Sequence, residues 1–272
     1  MKIGIVINYN SAFEDNLAWC KKNDIPTCQL SIRPSDLINE TAQIITNLTK
    51  KYNMHITALV GNWSGPNEWN FTKGPLTLGI VPPAYKAHRI EELKRCACFA
   101  RDIGVYAVCT HMGFIPENPC EVVYADFIAS LKYLVNYFGQ YGISLNMETG
   151  QETPTTLLRV ISDINQNNLG VNFDPANFLM YGKANPIDAV YLLGPHIRGV
   201  HAKDGEYPTN GNALGLEKPL GQGRVNMKQF IYALKEVGYT DAITIEREIS
   251  GEQQQKDILA GKQLLLDILK EA

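Results

Sequence analysis

Apolar residues fall into short β-rich runs separated by longer stretches of helical periodicity, from one end of the chain to the other. Strands are predicted at 2–7 (KIGIVI), 26–30 (IPTCQ), 54–60 (MHITALV), 104–110 (GVYAVCT), 142–148 (GISLNME), 169–174 (LGVNFD), 197–202 (IRGVHA) and 241–247 (DAITIER). Several are nearly continuous in Val, Ile and Leu, the pattern of strands covered on both faces. Helices are predicted between them at 12–23, 35–51, 85–102, 121–141, 154–167, 186–193, 226–237 and 251–270. In the segment 226–237, Phe230, Ile231, Leu234 and Val237 recur at helical spacing, Asn226 caps the start and Gly238 ends it.

Eight strands alternating with eight helices fit either an open doubly wound sheet or a closed (β/α)₈ barrel. The open sheet calls for a glycine-rich phosphate turn after the first strand, and here that turn is NYNSAFEDN, without glycine. The reading is therefore α/β, one (β/α)₈ barrel over 1–272. Two long connections, 61–84 and 203–225, follow strands and so lie over the C-terminal face, where barrel enzymes build their sites.

Composition narrows the partners. The formal net charge is −3 with both signs interspersed, which supplies no basic stripe for nucleic acid or a membrane surface. A small molecule is the expected partner, and a homo-oligomer through the helices or the 61–84 loop is open. Cys96 and Cys98 form a C-x-C that suits neither a zinc ribbon nor a thioredoxin-like motif. Met1-Lys2 leads directly into IGIVI, and no apolar run reaches membrane-spanning length. The expectation is a cytoplasmic protein with reduced cysteines packed as small apolar residues.

The ends of the last four strands carry the chemistry. They read Asn146-Met147-Glu148-Thr149-Gly150, Asn172-Phe173-Asp174-Pro175, Val200-His201-Ala202-Lys203-Asp204 and Ile245-Glu246-Arg247-Glu248. A carboxylate directly after an apolar run is costly to bury unless its charge is compensated. Four successive strands each presenting a metal-capable side chain point to one shared cation. Three carboxylates and an imidazole suit one divalent ion (Mn²⁺, Mg²⁺, Co²⁺ or Zn²⁺) with positions left for substrate. Alone, His201 reads as a core histidine bonded to backbone; the neighbouring carboxylates reverse that reading.

The stretches LNMETG, VNFDPAN, GVHAKD and TIEREISG resemble the sugar phosphate isomerase/epimerase family of the xylose isomerase-like TIM barrel superfamily. The resemblance is strongest over 142–251 and covers essentially the whole chain. It implies that Glu148, Asp174, His201 and Glu246 ligate the metal. It also implies aldose–ketose isomerisation or epimerisation of a small sugar or sugar phosphate, with Glu148 and Glu246 as catalytic acid/base groups on opposite faces. A divalent cation on the carbonyl and adjacent hydroxyl stabilises the enediolate by several kcal/mol, and a positioned carboxylate adds about 10²–10⁴-fold. Three alternatives share the scaffold: a lyase dehydrating an inosose- or dehydroshikimate-like compound, a DNA-repair endonuclease, and a non-catalytic sugar-binding protein. The endonuclease needs more histidine ligands and a basic groove.

Substrate contacts are expected from His111, Glu152, Asn177, Lys203, Asp204 and Trp63, with Gln151 and Trp69 close by. Asn177 stands where several sugar epimerases of the superfamily carry histidine. Gly221-Gln222-Gly223 offers backbone amides to an anion, a weak signal by itself. His55 and His196 fall at the opposite end of the barrel, and His88 and Arg89 are expected on a solvated helix face. Glu248 is read as a partner of the site or a surface charge, with Arg247 facing away. Lys203 alone would suggest a Schiff-base aldolase, which leaves three converging carboxylates without a role.

Overall fold

The computed structural model describes residues 1–271. Its barrel strands are β1 (Ile3–Asn8), β2 (Thr27–Ile32), β3 (His55–Gly61), β4 (Ala107–Thr110), β5 (Ser144–Glu148), β6 (Leu169–Phe173) and β7 (Ile197–Ala202), closed by β10 (Ile243–Ile245). Neighbours pair in parallel around a closed ring, with β10 joining β7 to β1. Helices α1 (Phe13–Lys22), α2 (Asn39–Tyr52), α4 (Pro83–Asp102), α5 (Val122–Gly139), α6 (Pro154–Ile164), α8 (Pro186–Leu193), α9 (Met227–Glu236) and α10 (Glu252–Glu271) alternate with the strands. The predicted α/β barrel is the observed fold.

Differences lie at element ends and in the long connections. The fourth and fifth strands start later than predicted because Gly104 and Gly142 adopt φ of +71° and +68°, turning the chain before extension begins. The eighth strand is only Ile243–Ile245, so Glu246 follows it, although its backbone N–H still bonds Ala202 at 3.1 Å. The connections predicted as loops contain short helices, α3 (Gly74–Thr77) and α7 (Pro175–Met180), and an antiparallel ribbon of β8 (Asp204–Gly205) with β9 (Glu217–Lys218).

The strands are covered on both faces, as their apolar runs predict: successive residues of β5 and β6 are almost all buried. Register sorts their side chains: Cys109 pairs with Asn146, Asn172 with Gly199 and Thr244 with His201, which aligns polar and small residues on the inner face. The alternate residues, among them Leu145, Met147, Val171, Phe173, Val200 and Ile245, are buried towards the helices. Each such aliphatic or aromatic side chain contributes about 1.5–3 kcal/mol on burial. The barrel thus keeps its apolar core outside the ring and a polar column within it.

Arg89 corrects a second expectation. His88 is exposed, but Arg89 is fully buried. Its guanidinium donates to the carbonyls of Pro66, Thr77 and Gly79 at 2.6–2.7 Å and of Ser64 at 3.3 Å. It also lies against the rings of Tyr85 and Trp63. The helix therefore clamps the 61–84 connection that roofs one side of the barrel mouth. Cys120 is exposed rather than packed, unlike Cys20, Cys28, Cys96 and Cys109.

Candidate metal centre and cavity

Glu148 ends β5, Asp174 caps α7 just past β6, His201 lies in β7, and Glu246 follows β10. One donor atom from each lies within 4.8 Å of all the others. His201 Nδ1 is 3.1 Å from Glu148 Oε1, 3.4 Å from Glu246 Oε2 and 3.7 Å from Asp174 Oδ2. His201 and Asp174 are fully buried, and both Nδ1 and Oδ2 lack a hydrogen-bond partner. Orphaned buried polar atoms carry a desolvation cost of about 1–3 kcal/mol each. A divalent cation among them would remove it, and the donor set fits one.

Burial and neighbouring charges oppose each other at every member of the cluster. Burial pushes the His201 imidazole down, but Glu148 and Glu246 beside it win and raise it well above its ordinary range. Burial pushes the Glu246 carboxyl up, yet Lys203 and His201 hold it well below the usual carboxylate range. Glu148 is likewise held low by His201 and His111 against burial, whereas burial leaves Asp174 raised. Lys203 Nζ sits 3.0 Å from Glu246 Oε2 and 2.6 Å from Glu248 Oε1, so Glu248 is a partner of the site. Arg247 turns away to Glu217 and Asp257.

A cavity of about 320 Å³ opens above the cluster, lined by Glu148, Glu246, His111, Asn177, Lys203 and Trp69 among others. His111 Nε2 lies 3.5 Å from Glu148 Oε1, its Nδ1 meets Gln151 at 3.2 Å, and the Trp69 ring stands edge-on to it at 4.9 Å. Trp63, expected to stack on substrate, is outside this lining and packs on Arg89 instead; Trp69 occupies the mouth. Asn177 reaches the cavity while its Nδ2 donates to Thr149 O at 3.1 Å.

Two other expected contacts are relocated. Asp204 is fully buried, and its carboxylate accepts the backbone N–H groups of Gly205, Gly221, Gly223 and Val225 at 2.8–2.9 Å. The anion met by Gly221-Gln222-Gly223 is therefore Asp204 itself, and its role is to fold the loop after β7. Glu152 is buried outside the cavity lining, with neither carboxyl oxygen hydrogen-bonded.

Burial pushes the Glu152 carboxyl up to about 8 from an ordinary 4.5, against the opposing charge of Lys183. The folded chain then keeps a proton that the unfolded chain releases above about pH 4.5, so stability falls as pH rises towards 8 and levels off beyond it. The slope is about 1.4 kcal/mol per pH unit inside that window. Denaturant midpoints of Glu152→Gln should exceed those of the native chain by a margin that widens with pH. A margin independent of pH would show that Glu152 is not held protonated.

Polar residues on other strands went unnoticed in the sequence. Asn8, Ser31 and Asn62 also line the cavity, and Asn62 Nδ2 bonds Ser31 Oγ at 2.9 Å. Their signal was the one used for the later strands, a polar residue at a strand's C-terminal end. Below the cluster, Gln29 bonds His201 Nε2 at 2.8 Å, and no local pattern marks it.

Fold and cluster together define a class, and comparison supports it. The chain matches the xylose isomerase-like TIM barrel family over residues 17–267 and belongs to it. The crystal structure of a xylose isomerase domain protein from Planctomyces limnophilus is 31% identical, covers 99% of this chain and 97% of that one, and superposes with a TM-score of 0.92. A D-tagatose 3-epimerase-like protein is 21% identical, with coverage of 99% and 97% and a TM-score of 0.77. An uncharacterized protein of Methanocaldococcus jannaschii is 28% identical over 174 residues, which span 60% of this chain and 56% of that protein. Barrels solved with magnesium or zinc, and a probable 3-DHS dehydratase, are 16–18% identical with TM-scores of 0.69–0.71, a likeness that shows the fold alone. Among the described residues, no helix is long and apolar enough to cross a membrane.

Proposed function

We propose that this chain is a divalent-metal-dependent isomerase or epimerase of a small, uncharged polyhydroxylated carbonyl compound. The observation that carries the reading is the convergence of Glu148, Asp174, His201 and Glu246 below a cavity of sugar-sized volume, with two buried donor atoms left unpartnered. A cation held by these four would act as a Lewis acid towards a substrate carbonyl. Glu148 and Glu246 would remove and return the proton at the neighbouring carbon, and Lys203, 3.0 Å from Glu246 Oε2, favours the ionised form of that carboxylate. Asn8, Ser31 and Asn62 offer hydrogen bonds to hydroxyls, and Trp69 an apolar face.

Charge balance favours an uncharged substrate over a phosphate ester or a carboxylated dehydratase substrate. Among the described residues lining the cavity, the cation charged at all working pH values is Lys203, and two carboxylates already hold it. A panel of ketoses, ketose 1- and 6-phosphates and 3-dehydroshikimate, supplied with Mn²⁺, Co²⁺, Mg²⁺ or Zn²⁺ and with a chelated control, tests the reading. Interconversion of a free ketose with its epimer or aldose, lost on chelation, is the expected result. Turnover only of dehydroshikimate, with loss of water, would replace isomerisation by the lyase reading.

A further inference from the structure

Gln29 is buried on the inner face of β2, one layer beneath the rim cluster, and its amide makes three contacts at once. Nε2 donates to Asn172 Oδ1 at 2.8 Å, while Oε1 accepts from Cys109 Sγ at 3.3 Å and faces His201 Nε2 at 2.8 Å. An amide oxygen only accepts, so His201 Nε2 carries the hydrogen, and Nδ1 is the nitrogen left towards Glu148, Asp174 and Glu246. A histidine that binds a cation through Nδ1 must keep its hydrogen on Nε2. The opposite tautomer would put a hydrogen where the ion has to sit and set two lone pairs against each other at Gln29.

We propose that Gln29 is a positioning residue: it holds His201 in the Nε2–H tautomer and thereby sets the affinity of the rim cluster for a divalent cation. The inference rests on the metal reading of the cluster. The same Oε1 also serves Cys109, a bond that does not touch the histidine. Asn172 Nδ2 lacks a partner, so a flip of the Asn172 amide would satisfy a carboxylate placed at position 29. Those two features separate acceptance of the histidine hydrogen from general packing.

Calorimetric titration of native protein, Gln29→Leu, Gln29→Glu and Cys109→Ala with Mn²⁺ and with Zn²⁺ tests the proposal, together with ¹⁵N-histidine spectra of the zinc-loaded proteins. Gln29→Leu should bind about 10–100-fold more weakly, the loss typical of removing a partner behind a ligating histidine. Gln29→Glu, which restores an acceptor, should recover native affinity or exceed it, and Cys109→Ala should keep it. The spectra should show a protonated Nε2 on a metal-bound ring in the native protein and in Gln29→Glu. If Gln29→Leu does not fold, Gln29→Met replaces it in the same comparison. Native affinity and unchanged ring signals in the apolar variant, or an equal loss in Cys109→Ala, would overturn the inference alone. A native protein that takes up neither ion would overturn the metal reading and this inference with it.

Discussion

Replacing Glu148 or Glu246 by Gln should lower turnover of a ketose that the native protein interconverts by about 10²–10⁴-fold, the usual contribution of a positioned acid or base. The substitution keeps volume and one oxygen but removes the proton acceptor and the negative charge. Both carboxylates border the same cavity from strands on different sides of the barrel. Weakened metal binding would reduce activity too, so the informative readout is isotopic. In D₂O, each variant should still exchange the substrate hydrogen with solvent from one epimer while failing to deliver the other epimer. A two-sided mechanism requires that split, and loss of the ion alone would stop both processes together. Near-native turnover in both variants would leave the acid/base assignment without support.

Metal binding should also stabilise the fold strongly. In the absence of an ion, three carboxylates and an imidazole crowd within 4.8 Å, and two of the four residues are fully sealed from water. At a cation concentration a hundred times its dissociation constant, linkage supplies about 2.7 kcal/mol. For a chain of this size that is a rise in Tm of roughly 5–10 °C. Asp174→Asn should abolish the rise. Asn keeps the oxygen that caps α7 by accepting the Asn177 N–H at 2.9 Å, so the variant should fold while presenting a poorer ligand. An equal thermal shift in native protein and Asp174→Asn would place the stabilising ion elsewhere.

The parts legible in the sequence were those encoded locally. Strand ends such as SLNME and LGVNF followed by Asp174 place a carboxylate at the rim after an alternating run, and all four candidate ligands stand out in this way. That alternation was also the cue to the polar column: Asn146 and Asn172 interrupt runs that the eye takes as continuously apolar. The residues misjudged were those whose partners are distant in sequence. Arg89 looks like any helix-surface arginine until the 61–84 connection folds over it. Asp204 adjoins a candidate ligand, but the amides that claim it come from residues 221–225. Trp63 and Trp69 share one loop, and only its path determines which of them faces the mouth. Gln29 contacts a histidine 172 positions away, beyond the reach of any local pattern.

Anomalous diffraction from crystals grown with Mn²⁺ or Zn²⁺ tests the central claim most directly. One peak should lie within about 2.0–2.3 Å of His201 Nδ1 and of a carboxylate oxygen from each of Glu148, Asp174 and Glu246. No peak at the rim, or a peak bound by other residues, would contradict the account.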